Sequence, residues 1–184
     1  MNPSVGDLAR AIEDAHERDV VLLPNNPNVL LAAEQAAGYT QVNADVIPTR
    51  SIQEGLAAMV VFDPTRPREE NAAEMRAAVE AVATGEVTVA SRDATLNGLP
   101  VRKGNYFGLA GGAPVAEGES FDEVARAVVE RLLAEPREVL TLLRGADAPE
   151  LDALVAELSE RHPEIELDVQ DGGQPHYPLL LSAE

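Results

Sequence analysis

Val5, Leu8, Ile12 and Ala15 recur at helical spacing and predict an amphipathic first helix, capped by Ser4 with Asp7 three residues on. Val20-Val21-Leu22-Leu23 is a short continuous apolar run, the pattern of a strand buried on both faces of a parallel sheet. A second helix is expected from Pro27 to Ala37, with Asn26 as N-cap, Pro27 at the first helical position and Gly38 as the stop. Another strand ends at Val46-Ile47. Ser51 and Glu54 form a capping box for a third helix, on which the spacing predicts Ile52, Leu56, Met59 and Val60 turned inward. After a loop from Asp63 to Pro67, Ala72, Met75, Val79 and Val82 make a narrow stripe on a fourth helix.

The texture changes at Thr84-Gly85. Val87 to Ser91 reads as a strand, and Asn97-Gly98 is a hairpin signal between short strands. Asn105–Ala110 and Pro114–Glu117 predict two more strands turning at Gly111-Gly112. Ser120 and Glu123 box the start of a helix carrying Phe121, Val124, Val128 and Leu132 inward. Val139–Leu143 is again a buried-type strand, followed by a helix with Leu151, Leu154, Val155 and Leu158 in register. Ile165, Leu167 and Val169 alternate with polar residues, so that strand should have one wet face, and Tyr177–Ser182 forms a last strand. The fold class is therefore α/β in two lobes: residues 1–83 with a mainly parallel sheet, and residues 84–184 as a mixed lobe with hairpins.

Composition narrows the partners. Fourteen basic residues against 32 acidic give −18 at pH 7, so nucleic acid and anionic membrane surfaces would be repelled. That charge serves solubility or an acidic interface for a cationic patch on another protein; both readings stay open. There is no Trp, and Phe62, Phe107, Phe121, Tyr39, Tyr106 and Tyr177 are the only large aromatic side chains, too few for a stacking platform. Zero Cys excludes disulfides and thiolate chemistry. The polar start Met1-Asn2-Pro3-Ser4 does not read as a signal peptide, and no apolar run approaches the ~20 residues of a membrane helix. The expected location is the cytoplasm.

No residue is read as catalytic. A phosphate loop, a strand-linked G-x-G-x-x-G and a G-x-S-x-G elbow are missing, and no His or acidic spacing matches a metal site. His16 continues the first helix's stripe and His162 that of the Leu158 helix, both near C-termini where they would cap; His176 alone lies in a loop. The suggestive places are two loops that follow strands and open helices, with Asn25, Asn26 and Asn28 at one and Thr49, Arg50, Ser51 and Gln53 at the other. Ligands gather at strand ends in open α/β sheets, and helix starts offer free N–H groups. These residues, with His176, are the candidate partner- or ligand-binding set; equally, Asn26 and Ser51 could be caps only and the rest turn chemistry.

Leu22–Asn28, Ala32–Ala36, Val46–Gly55, Val61–Pro64, Thr84–Thr88, Arg92–Thr95 and Gly172–Pro178 together resemble, in order and along nearly the whole chain, the C-terminal domain of the A component of bacterial fatty acid kinases. The resemblance implies a two-lobed fold like the DegV proteins and the substrate-binding component of dihydroxyacetone kinases. It implies a part in making acyl-phosphate for lipid metabolism from ATP and a fatty acid carried by a separate DegV-like protein. ATP and magnesium would belong to an N-terminal dihydroxyacetone-kinase-like helical domain outside this chain; the C-terminal domain would dock the carrier. No position here matches the kinase motifs, so no catalytic residue carries over. Family chains continue upstream of Met1 with more of the same fold, which implies an unpaired edge on the first sheet, a place prone to self-association. The alternative is a fatty acid or related ligand bound in this chain at the two strand-end loops.

Overall fold

Ser4 opens the first helix, α1 (Val5–Asp14), with a reciprocal capping box: its hydroxyl accepts from the Asp7 N–H at 3.2 Å and the Asp7 carboxylate accepts from the Ser4 N–H at 3.0 Å. The structure, a computed structural model, describes residues 2–184 in two units, one ending at Val82 and one running Ala83–Glu184. α1 stops before His16, which is exposed and left-handed at φ 53°, so it does not extend the helix stripe as its spacing suggests. β1 (Asp19–Leu22), α2 (Pro27–Tyr39), β2 (Asn43–Val46), α3 (Ile52–Val60) and α4 (Arg68–Ala81) follow. α2 runs through Gly38, the expected stop, to Tyr39. β1 and β2 pair in parallel, Asp19 opposite Asn43 and Leu22 opposite Val46. Ile47, Ala58, Ala72 and Met75 form the buried centre of this unit, packed by Val21, Leu23, Val61 and Val79. At the start of α4, Arg68 pairs with Asp45 of β2 at 2.6 Å and with Asp19 of β1 at 3.5 Å.

α3 is turned the other way from its apolar spacing. Ile52, Leu56, Met59 and Val60 are 43, 49, 52 and 82% exposed, while Gln53, Gly55, Ala57 and Ala58 face the interior. Amphipathic spacing identifies a face, not its neighbour. Here the small residues lie inward, which lets the helix backbone approach the rest of the unit closely.

The second unit comprises β3 (Ala83–Val89), β4 (Ala94–Leu96), β5 (Leu99–Val101), β6 (Tyr106–Ala110), β7 (Ala113–Gly118), α5 (Phe121–Leu132), β8 (Val139–Arg144), α6 (Asp152–Arg161), β9 (Glu166–Asp171) and β10 (Leu179–Ala183). Six of these strands form a sheet in the order β7-β6-β3-β10-β8-β9, antiparallel except for β8 and β9. β4 and β5 make a separate hairpin whose turn, Asn97-Gly98, has both φ angles positive, as the dipeptide demands. Ser120 caps α5 by accepting from the Glu123 N–H, and the helix lays Phe121, Val124, Val128 and Leu132 on the sheet. Gly85 and Gly108 permit that contact: a Cβ on Gly108 would stand 2.3 Å from Val128 Cγ2, and one on Gly85 2.6 Å from Val128 Cγ1. Leu151, Leu154 and Leu158 bring α6 into the same core, and Arg126 grips Glu157 with two hydrogen bonds of 2.7 and 2.6 Å between the helices. β9 is an outer strand with Val169 42% exposed, so the one dry, one wet face predicted for it is wetter than expected. His162 is the C-cap residue of α6 through its backbone N–H, which donates to the Leu158 carbonyl, while its imidazole lies 3.4 Å from Glu130 Oε1 rather than on the last carbonyls. Among the described residues no helix is long and apolar enough to cross a membrane.

Candidate functional site

Parallel pairing of β1 and β2 sets their two exit loops side by side. The Asn25 N–H donates to Thr49 Oγ1 at 3.0 Å, and Thr49, fully buried, donates its own N–H to the Ile47 carbonyl at 2.7 Å. Asn25 is left-handed at φ 52°, a conformation Asn tolerates better than most residues. Its side chain lies over Gly55, where any Cβ would fall 2.2 Å from Asn25 Oδ1; that oxygen is buried with no hydrogen-bond partner. Asn26 caps α2 by accepting from the Asn28 N–H at 2.8 Å. Ser51 caps α3 by accepting from the Glu54 N–H at 3.2 Å, and the Glu54 carboxylate accepts from the Arg50 N–H.

The candidate residues therefore divide by place. Thr49 and Gln53 are buried, Asn25 is half-buried against Gly55, Asn26 and Ser51 are caps, and Asn28 and Arg50 stand exposed. His176 belongs to the second unit, exposed and left-handed at φ 70°, with its carbonyl accepting from Thr88 Oγ1 at 2.7 Å. In that unit burial pushes the Glu86 carboxyl above its ordinary pKa, and burial followed by the Glu86 charge raises Tyr177.

Beyond α3 the first unit holds a groove of about 550 Å³ that no local sequence pattern announces. Its apolar lining is Val21, Leu23, Met59, Phe62 and Met75, so its wall includes the last turn of α3. Glu17, Asp19, Arg66 and Arg68 are among its polar residues. Both arginines are engaged: Arg68 with Asp45 and Asp19, Arg66 with Glu74 and, at 3.4 Å, Asp63. Hydrogen bonds from Thr65, aided by Arg66, hold the Asp63 carboxyl below its ordinary pKa. The groove thus offers apolar contact bordered by charges that already neutralise one another in part. Among the described residues no group of three or more His, Asp or Glu could hold a metal ion. The signal for the outward stripe was present in the small residues Gly55, Ala57 and Ala58, which occupy the opposite face of α3.

A parallel strand-helix-strand unit followed by a six-stranded mixed sheet under two helices is the α/β fold of the DegV and dihydroxyacetone kinase proteins. A fatty-acid-binding DegV family protein of Thermus thermophilus superposes with a TM-score of 0.65 at 17% identity, covering 100% of this chain and 78% of that one. The Streptococcus pneumoniae fatty acid kinase B3 protein loaded with linoleic acid gives 0.67 at 13% identity, with 99% and 76% covered. The C. freundii dihydroxyacetone kinase in complex with AMP-PNP and Mg2+ gives 0.65 at 17%, with 98% and 41% covered. At such identities the likeness is one of fold. Family membership comes from the sequence: residues 1–184 match the FakA-like C-terminal family of fatty acid kinases, and the chain belongs to it. Protein YloV of Bacillus subtilis is 35% identical over 186 residues, and an uncharacterized protein of Staphylococcus aureus strain USA300 is 36% identical over the same length. The alignments cover all of this chain but 34% of each relative, so the chain spans about a third of the length of these relatives.

Proposed function

We propose that this domain serves a fatty acid kinase by docking the DegV-like protein that carries the fatty acid, presenting it to an ATP- and magnesium-binding domain outside this chain. The observation that carries the reading is the end-to-end membership in the FakA-like C-terminal family. Support comes from the relatives' greater length, which leaves room for a kinase domain on the same polypeptide. The chain's −18 charge adds a physical expectation: it attracts a carrier with a basic patch, and salt slows that encounter.

A second reading, an acyl ligand held by this chain itself, is favoured by the apolar lining of the groove at Val21, Leu23 and Met75. Against it, Glu17 and Asp19 repel a carboxylate there and both arginines are already ion-paired. The test is calorimetric titration of the 184-residue chain with the fatty-acid-loaded DegV-like carrier of the same genome. Saturable binding that weakens with salt is expected. No binding at low salt refutes the docking reading, and binding of free fatty acid alone favours the second.

A further inference from the structure

Four large apolar side chains on one face of α3 point to solvent: Ile52, Leu56, Met59 and Val60, at helical spacings of four, seven and eight from the first. Single exposed apolar residues are ordinary on protein surfaces. This set is different because it is contiguous and leads, through Met59 and Phe62, directly into the groove bordered by Val21 and Leu23. With Phe62 it presents roughly 400 Å² of apolar surface, within the range of about 300–600 Å² of the largest patch on a typical monomer, which is often functional. That is about half of one partner's share of a standard protein interface, the right proportion for an apolar centre inside a polar rim.

Charge selects the occupant. From residue 1 to 82 the sequence carries thirteen acidic and six basic side chains. Arg10, Arg66, Arg68 and Arg76 already face carboxylates within this unit, so the unit that carries the stripe is negative in surplus. A second copy of the chain would bring another −18 against it, and an anionic lipid surface would be repelled in the same way. A surface with an apolar ridge bordered by Lys and Arg meets both the stripe and the field.

We infer that the outward face of α3, continued by Phe62 into the groove, is the docking face, and that its occupant is an apolar, basic-rimmed surface of the carrier protein. This inference rests on the docking reading above. Arg50, in the strand-end loop, is exposed and directly precedes Ser51, the α3 N-cap.

The test compares the parent chain with Leu56→Ser and with the double variant Leu56→Ser/Met59→Ser, using Leu31→Ser as the control. Leu31 is 66% exposed on α2, off the stripe. Loss of a binding centre should raise Kd about thirtyfold or more for the double variant and less than about twofold for the control. Hydrogen exchange on the unmodified pair provides a readout free of substitutions: carrier should protect amides of residues 50–66. If the parent binds but the stripe variants bind equally and 50–66 gains no protection, the α3 face is wrong and the docking reading stands. If the parent does not bind, both fall. Self-association of the chain that protects residues 50–66 without carrier, or protection there by free fatty acid alone, overturns the assignment of the occupant.

Discussion

Truncating Leu56 separates the two orientations of α3 by a measurable energy. Were Leu56 in the core, Leu→Ala would cost about 2–5 kcal/mol from lost transfer and the cavity left behind. With the residue 49% exposed, about half of the roughly 2.4 kcal/mol carried by its three extra carbons remains, so the expected loss is about 1 kcal/mol. Val60→Ala, at 82% exposure, should cost only about 0.3 kcal/mol on the same scale. The opposite face responds in the opposite sense. Ala58 has no exposed surface, and Ala58→Leu would force three carbons into a packed interior at a cost of about 1–3 kcal/mol. Urea unfolding followed by circular dichroism gives these differences directly, and each kcal/mol should also move Tm by about 2–4 °C in a chain of this size. A loss of about 3 kcal/mol or more at Leu56 together with a neutral Ala58→Leu would mean that α3 buries its large apolar face, and the proposed docking stripe would disappear with it.

Two further outcomes follow from buried polar groups. Asn25→Gly should leave stability unchanged or raise it, since glycine accepts φ 52° and the change removes a buried oxygen without a partner; Gly55→Ala should destabilise the parent but be tolerated in the Asn25→Gly background, a coupling that a double-mutant cycle of melting temperatures reads and that additive effects would refute. Glu86 has its folded pKa raised by burial, so its ionisation costs stability as pH rises through that value and costs nothing below the unfolded value of about 4.3; Glu86→Gln should therefore raise Tm at pH 7 with a gain that shrinks toward pH 4, and an equal gain at both pH values would refute the assignment.

Local chemistry was legible wherever a short run of residues decides the outcome. Ser4 with Asp7, Asn26 before Pro27, Ser51 with Glu54 and Ser120 with Glu123 mark the helix starts found, and Asn97-Gly98 marks the hairpin found. The parallel pairing of β1 with β2 followed from apolar strands alternating with helices. What failed was orientation. The α3 pattern shows two unlike faces, and the usual inference places the large apolar one inside; the small face of Gly55, Ala57 and Ala58 is the one that packs. Thr49 and Gln53 look like surface polar residues at a helix start, yet both are buried, Thr49 because it accepts from Asn25 across the neighbouring loop. That contact joins positions 24 residues apart, and no spacing along one loop reports it. His16 was misplaced for a related reason, since the helix ends before it.

β10, the last of the described strands in chain order, lies in the middle of the six-stranded sheet, between β3 and β8. During synthesis β3, β6 and β7 can pair as one ribbon and β8 with β9 as another. Neither ribbon can join the other until Leu179–Ala183 has left the ribosome and entered the gap. Until then β3 and β8 each present an open edge, and the leucines destined for the core of β10 are still unmade. This five-residue strand thus acts as the closing piece of the second unit. A ribosome that stalls or terminates just before it releases two ribbons with exposed edges, a form that quality control would meet as unfinished chain.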